Sequence, residues 1–331
     1  MNNFNENTID NLDDETILLD KSLRPKTFKE LVGREREVEN LRILIDAAKK
    51  RDEPIDHVLL HGPPGLGKTS IAYIIANEAN VPIYSTSGPA IERKADLAAI
   101  LSNLEEKAIL FIDEIHRLNR SLEEILYSAM EDNTIDIIIG KGPSARTLKL
   151  ELNKFSLIGA TTRVGMLSSP LRDRFGVDLH LDYYEHEDLT EMIMQKAKLL
   201  DIIIEIDAAK EIAKRSRRTP RIAQRLLKRT RDLAHSNSTN KIKRATVEET
   251  LTMMGIDSNG LDLLDKKIIK IMSESYKGGP VGIRTLAASL SEDRDTIENV
   301  YEPFLLKEGY IIRTARGRML TQKALDNLSL F

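Results

Sequence analysis

His57-Val58-Leu59-Leu60 is a short apolar run that leads into Gly62-Pro63-Pro64-Gly65-Leu66-Gly67-Lys68-Thr69, and the reading of these residues decides the fold. The second piece matches G-x-x-x-x-G-K-[ST] at every position. Its glycines let backbone N–H groups wrap phosphate oxygens without side-chain clash. Lys68 neutralises the β/γ oxygens, and Thr69 offers its hydroxyl to Mg²⁺. Beyond it, Ile71, Ala72, Ile74, Ile75 and Ala79 fall at helical spacing. The loop therefore joins a strand to a helix N-terminus, whose dipole favours an anion. A glycine-rich turn that only resembles such a loop is the competing reading, and the strand and helix around it weigh against it.

The rest of the chain is consistent with an ordinary globular protein. It has 331 residues, enough for two or three domains, with 41% apolar and 31% charged residues. The net charge of -3 means that nucleic acid would be met by local basic patches, not by overall charge. With no cysteine, disulfides and thiolate metal sites are excluded, which fits a reducing cytoplasm. The Asn-rich, acidic start lacks the basic and apolar regions of a signal peptide and reads as a flexible lead-in over residues 1–20. No apolar run approaches the roughly 18 residues of a membrane helix, so a soluble, cytoplasmic protein is expected.

A second apolar run, Ala108-Ile109-Leu110-Phe111-Ile112, ends in Asp113-Glu114. A strand ending this way can present Asp113 to the metal shell beside Thr69. Glu114 is then placed to deprotonate the attacking water. Taken alone, two acids at a strand end could simply be solvated; downstream of the phosphate loop, the catalytic reading is preferred. His116 and Arg117 follow, and His116 is given no chemical role. A third run, Phe155–Ala160, ends in Thr161-Thr162-Arg163, where a hydroxyl could sense a γ-phosphate or merely cap the turn. Leu171-Arg172-Asp173-Arg174-Phe175 offers arginines that could be surface ion-pair partners or could reach a neighbouring subunit's nucleotide.

Together, Gly62–Thr69, Leu110–Leu118, Gly159–Arg163 and Leu171–Gly176 closely resemble the RuvB family of AAA+ motors, which drive Holliday-junction branch migration in recombination and repair. The resemblance runs from about Leu23 to Met319. It implies that Leu23, Arg24 and Tyr184 contact the nucleotide base, and that Ser70, Glu131, Asp132 and Asn133 also line nucleotide sites. It further implies that Thr161 is the sensor of the γ-phosphate, Arg174 the finger acting in trans, and Arg221 of Thr219-Pro220-Arg221 the lid's own γ-phosphate contact. One departure is visible: the family usually has Gly before that Thr, and here it is Arg218, although glycine tolerates backbone angles that arginine does not.

Thr134–Ile139 and Arg146–Leu152 bracket Gly140–Ser144 and read as a hairpin, with Leu148, Leu150 and Leu152 on one face. That face could pack on the sheet. The resemblance implies that the hairpin protrudes and that Leu148 and Leu150 dock RuvA. Lys214 to Arg231 holds nine basic residues and no acid, either a DNA-facing stripe or a solvated helix face. Asp257–Gly260 reads as a linker. After it, three helical patterns around Ile268, Leu286 and Ile297 precede two apolar strands that flank a basic turn, the pattern of a winged helix. Arg313, Arg316 and Arg318 are its candidate phosphate contacts. Arg294 is another on the family resemblance, or else an intramolecular ion-pair partner of its acidic neighbours.

The expected architecture is an α/β P-loop AAA+ domain with a parallel sheet over residues 21–184, with a partner-binding hairpin near 134–152. A helical lid domain follows over 185–256, and a C-terminal winged-helix domain over 257–331. The expected function is an ATP- and Mg²⁺-dependent DNA motor acting on duplex arms of four-way junctions with little regard to sequence. It would work as a homo-hexamer with RuvA and, through that complex, the resolvase RuvC. An ATP-gated loader of another protein ring, or a sequence-reading regulator built on the winged helix, are the alternatives.

Overall fold

The structure is a computed structural model that describes residues 23–139 and 146–328; the expected lead-in over 1–20 and the Gly140–Ser144 connection lie outside the described residues. The chain divides into two compact units, one formed by the chain up to His61 with Gly67–His180, the other by Gly62–Leu66 with Leu181–Phe331.

The first unit is built on five parallel strands. These are β1 (Val58–His61), β2 (Ile83–Ser87), β3 (Ile109–Asp113), β6 (Ser156–Thr161) and β7 (Val177–His180), ordered β2-β3-β6-β1-β7. Val58, Leu59, Leu60, Ile109, Leu110 and Ile112 have no exposed surface. Parallel strands covered on both faces are expected to be continuous apolar runs, which is why β1, β3 and β6 are readable from sequence. The half-buried β2, Ile83-Tyr84-Ser85-Thr86-Ser87, and the edge strand β7, with its exposed Asp178 and His180, carry no such run and were not anticipated. Register puts Leu60 opposite Ala160 and Ile112 opposite Gly159, so β3, β6 and β1 end along one edge of the sheet. The amphipathic helix Arg120–Asp132 starts at Asn119, whose side chain accepts from the Leu122 amide, and buries Leu122, Leu126 and Ala129.

β4 (Thr134–Ile139) and β5 (Arg146–Glu151) form the expected antiparallel hairpin, with Ile135 opposite Leu150 and Ile137 opposite Leu148. Its leucines separate. Leu148 is 51% exposed, whereas Leu150 and Leu152 pack partly buried against the core that holds Ile135, Phe155 and Leu157. Of the two leucines expected to dock a partner, Leu148 is exposed and Leu150 is half-buried.

After Leu181 the second unit opens with four helices, His186–Leu199, Ile206–Arg215, Pro220–Ser236 and Arg244–Met253, tied by the short parallel pair β8 (Ile203–Ile204) and β9 (Lys241–Ile242). Asp257–Gly260 is a closed turn, its Asp257 carboxylate accepting from the Asn259 and Leu261 amides. Beyond it come Leu263–Glu274, Ile283–Leu290 and a segmented third helix from Arg294 to Lys307. The antiparallel pair β10 (Ile311–Thr314) and β11 (Gly317–Leu320) and a closing helix complete a winged helix around Ile268, Met272, Leu286, Phe304 and Leu305.

Arg218 adopts φ +55 directly after Arg217 at φ +52. The left-handed angle that glycine would supply is thus kept by arginine, at a cost of about 1–3 kcal/mol per residue. The Arg218 guanidinium donates to the Tyr184 carbonyl at 2.9 Å and pairs with Glu185 at 2.5 Å, so its bulk lies along the Tyr184–Glu185 segment. Gly62 has no such freedom: at φ +140, an added Cβ would stand 2.2 Å from the Leu181 carbonyl oxygen. Gly62→Ala is expected to lower the chemical-denaturation midpoint, with a loss of about 1–3 kcal/mol or more; an unchanged midpoint would contradict the packing described.

Candidate functional site

The phosphate loop leaves β1 at Gly62 and ends at Gly67, which holds φ +90 as the N-cap of the helix Lys68–Ala79. No side chain caps that end, so the first-turn amides of Lys68, Thr69 and Ser70 form a donor set suited to an anion. Lys68 opens the helix and is only 7% exposed. The Thr69 hydroxyl donates to Asp113 Oδ2 at 3.3 Å, across from the end of β3. The other Asp113 oxygen accepts from the Glu114 amide at 2.9 Å. A hydroxyl and a carboxylate are hard oxygen ligands of the kind Mg²⁺ takes when substrate phosphates complete its shell. Among the described residues no cluster of three His, Cys, Asp or Glu could hold a metal by itself.

Glu114 sits at φ +48 and is held from two sides. Thr162 donates its hydroxyl to Glu114 Oε2 at 3.3 Å, and His116 Nδ1 lies 3.1 Å from the same oxygen. Because an ionised carboxylate only accepts, Nδ1 carries the proton in that contact. Burial lowers the His116 pKa and outweighs the opposing pull of Glu114, with Arg163, Arg117 and Lys68 adding to the lowering. The ring is therefore neutral near pH 7. It also meets the Thr161 hydroxyl at 2.9 Å. Thr161 is fully buried and accepts from the Arg163 amide, so its hydroxyl lies inside the strand layer. The hydroxyl that reaches Glu114 is that of Thr162. The role of His116 as the ring joining the two strand ends was missed from sequence. Its only signal there was its place two residues after Glu114.

Arg174 rests on its own chain. Its Nη2 donates to Glu131 at 2.5 Å and to the Tyr127 hydroxyl at 2.6 Å, with the guanidinium 4.6 Å from the Tyr127 ring centre. Phe175 is buried and anchors the segment. Glu131 and Asp132 lie exposed in the last turn of the helix Arg120–Asp132, and Asn133 caps it with φ +51. Leu23 is buried at 2% exposure and Arg24 is exposed. In the second unit Tyr184 is 2% exposed, its amide donating to the Arg218 carbonyl at 3.0 Å. The Arg221 amide donates to the Gly65 carbonyl at 3.3 Å.

The winged-helix arginines divide. Arg318 makes a two-pronged pair with Glu302, 2.9 Å on each side, and Arg313 reaches the same carboxylate at 2.6 Å. Glu302 is 1% exposed. Burial alone would raise its pKa, but hydrogen bonds and charge from Arg313 and Arg318 together hold it below the ordinary value. Arg318 thus ties the wing to the third helix, while Arg313 remains 54% exposed in its side chain. Arg294 pairs with Glu298 at 3.3 Å, the intramolecular alternative raised by its acidic neighbours. Arg316, at the wing tip, is exposed and makes no ion pair among the described residues.

Glu114→Gln is expected to bind ATP while turnover falls by about 10²–10⁴-fold, the usual yield of a positioned base. Lys68→Ala is expected to lose nucleotide binding or turnover, and Thr162→Val to lower kcat; a wild-type kcat in Glu114→Gln would remove that residue as the base. In the winged helix, Arg318→Ala is expected to destabilise the domain by about 3–5 kcal/mol, because it strips one partner from a buried carboxylate. Arg316→Ala is expected to leave stability unchanged and reduce the salt dependence of DNA binding by about one phosphate contact. Equal thermal stabilities for the two variants would reject the division.

Family models match the chain in order: the Holliday junction DNA helicase RuvB P-loop domain at 23–181, the RuvB AAA lid domain at 184–257 and the RuvB C-terminal winged helix domain at 258–329. The Holliday junction branch migration complex subunit RuvB of Kosmotoga olearia is 54% identical over 312 residues, covering 94% of this chain and 91% of that protein. The solved Thermotoga maritima RuvB Holliday junction branch migration motor superposes with a TM-score of 0.86 at 49% identity, covering 93% of this chain and 98% of that one. A point mutant of the Thermotoga protein gives 0.87 at 50% identity, with the same coverage. The phosphate loop, the paired Thr69 and Asp113, the lid and the winged helix therefore stand in one recognised order, and this chain belongs to the RuvB family.

Proposed function

We propose that this chain is the ATP-hydrolysing subunit of a ring that migrates four-way DNA junctions. The observation that carries the chemistry is the Glu114 carboxylate, fixed by Thr162 and His116 beside the Thr69–Asp113 pair at the strand ends. The DNA substrate is supported by family membership, since the Kosmotoga relative is named a subunit of a Holliday junction branch migration complex.

Lys68 and the loop amides bind the triphosphate. Thr69 and Asp113 would hold Mg²⁺, which when bound would neutralise charge on the phosphate oxygens. Glu114 takes a proton as the water oxygen attacks the γ-phosphorus and the bond to the ADP oxygen breaks. Thr162, set against Glu114, is the γ-phosphate sensor in this reading, with Thr161 behind it. Leu23, Arg24 and Tyr184 face the base, and Arg221 reaches the phosphates from the lid. Ser70 and the Glu131–Asn133 turn complete the nucleotide contacts. Arg174 leaves Glu131 and Tyr127 to serve a neighbour's nucleotide, an effect worth about 10³–10⁵ in rate, or roughly 4–7 kcal/mol of barrier.

A finger acting in trans requires a neighbouring subunit, and we take the assembly to be a hexameric ring. Arg316 at the wing tip, with Arg313 and Arg294 behind it, meets duplex phosphates. Leu148, exposed on the hairpin, meets the junction-binding partner RuvA, and RuvC joins through that complex. No helix of the described residues is long and apolar enough to cross a membrane, and the site of action we propose is the cytoplasm.

The decisive experiment follows synthetic four-way junctions with ATP, with and without RuvA. ATP-dependent movement that RuvA stimulates is expected. Steady hydrolysis without junction movement would favour a loader, and strong preference for one duplex sequence would favour a regulator. Mixing Arg174→Ala with Lys68→Ala subunits is expected to restore part of the ATPase, and no recovery at any ratio would exclude action in trans. Leu148→Ser is expected to weaken RuvA docking while sparing basal ATPase; unchanged docking would remove Leu148 from the interface.

A further inference from the structure

Arg217 belongs by sequence to the lid loop Ser216–Thr219, but its side chain is spent entirely on the winged helix. It is 7% exposed. Its guanidinium pairs with Asp262 at 2.5 Å and with the fully buried Asp265. It also lies 5.3 Å from the Tyr301 ring centre and 5.1 Å from that of Phe304. All four partners come from two helical segments of the winged-helix domain, the start of Leu263–Glu274 and the third helix. Asp265 keeps one oxygen without a partner, and burial pushes its carboxyl up to about 7, with Arg217 pulling the other way. Arg217 is thus the charge that lets a carboxylate remain in this apolar setting.

The backbone around Arg217 leads directly to the lid's nucleotide-facing residues. Arg217 and Arg218 are both left-handed, a pairing without glycine that must be held from outside. Arg218 clamps the Tyr184 carbonyl and Glu185. The Thr219 amide closes back on the Ser216 carbonyl at 3.1 Å, Pro220 opens the next helix, and Arg221 follows with its amide on Gly65. A second tie runs in parallel: Lys307 of the winged helix pairs with Asp182 at 3.3 Å and lies over the Tyr183 ring, immediately before Tyr184. The winged-helix domain therefore grips the chain just before each of the two lid residues read as nucleotide contacts.

We propose that Arg217 is a positioning residue through which the DNA-binding winged helix sets the orientation of Arg221 in the ATP site. This rests on the reading of Arg221 as the lid's phosphate contact. A planar, delocalised cation that lies near two rings and bonds two carboxylates is held in orientation by all four, which the point charge of lysine cannot reproduce. Release of that grip lets the strained loop relax and moves Arg221 in the first turn of the following helix.

The test compares duplex-stimulated ATPase in the full chain for wild type, Arg217→Gln, Arg217→Lys, Asp262→Asn, Arg221→Ala and the Arg217→Gln/Arg221→Ala double variant, with thermal unfolding to check folding. Arg217→Gln is expected to lower duplex-stimulated kcat tenfold or more with KM for ATP changed less than threefold, Arg217→Lys to recover only part of it, and Asp262→Asn to show a smaller loss of the same kind. The double variant is expected to be no slower than Arg221→Ala alone, since one residue acts through the other. A folded Arg217→Gln protein with wild-type stimulation, or losses that multiply in the double variant, overturns the proposal. Should Arg217→Gln fail to fold, Asp262→Asn decides: wild-type stimulation in that variant overturns it, and reduced stimulation supports it. A wild-type kcat in Arg221→Ala would instead refute the reading of Arg221, a result distinguishable from failure of Arg217 alone.

Discussion

Main-chain pairing among three buried parallel strands is the constraint on which the rest depends. β3, β6 and β1 share a register that brings their carboxyl ends to one edge, and each end carries a different chemical tool. β1 delivers the glycine loop, β3 the two acids, and β6 the two threonines. Because the strands are covered on both faces, a slip of one residue would turn buried aliphatic side chains and polar tips alike the wrong way. Packing therefore fixes the geometry of the site before any ligand arrives. Ligands of open parallel sheets commonly gather at such an edge, where the strand order reverses.

Much of this was legible because burial and chemistry coincide in the residues themselves. A phosphate loop has few alternatives, and apolar runs ending in Asp113-Glu114 or Thr161-Thr162 mark strand ends directly. What sequence could not separate was which of two adjacent polar residues turns inward. Thr161, the last residue of β6, is buried and meets His116, whereas Thr162, in the bend just beyond the strand, reaches Glu114, a choice set by where the strand stops and invisible in the string. The same limit applied to the hairpin, where Leu148 and Leu150 share an apparent face but only Leu150 meets the core. It applied again to Arg313 and Arg318, whose attraction to Glu302 arises only once the wing folds against the third helix.

The second unit shows how charge is used where no large sheet exists to impose order. Glu302, held by two arginines, and Arg217, held by two aspartates, are each buried at the centre of a cluster whose outer members Arg313 and Asp262 keep some exposure. Such pairs add little net stability over apolar packing, but removal of one member leaves a stranded charge. They therefore select one arrangement of small helices over near alternatives.

The resting place of Arg174 has a consequence of its own. A guanidinium already satisfied by Glu131 and cushioned by Tyr127 is not a loose cation seeking any phosphate. To act on an adjacent protomer it must exchange one ion pair for another, so the energy gained on assembly is a difference between two comparable bonds. If Arg174 serves a neighbour's nucleotide as proposed, that exchange couples hydrolysis to the approach of an adjacent protomer, because only a phosphate close at hand can replace the carboxylate it leaves.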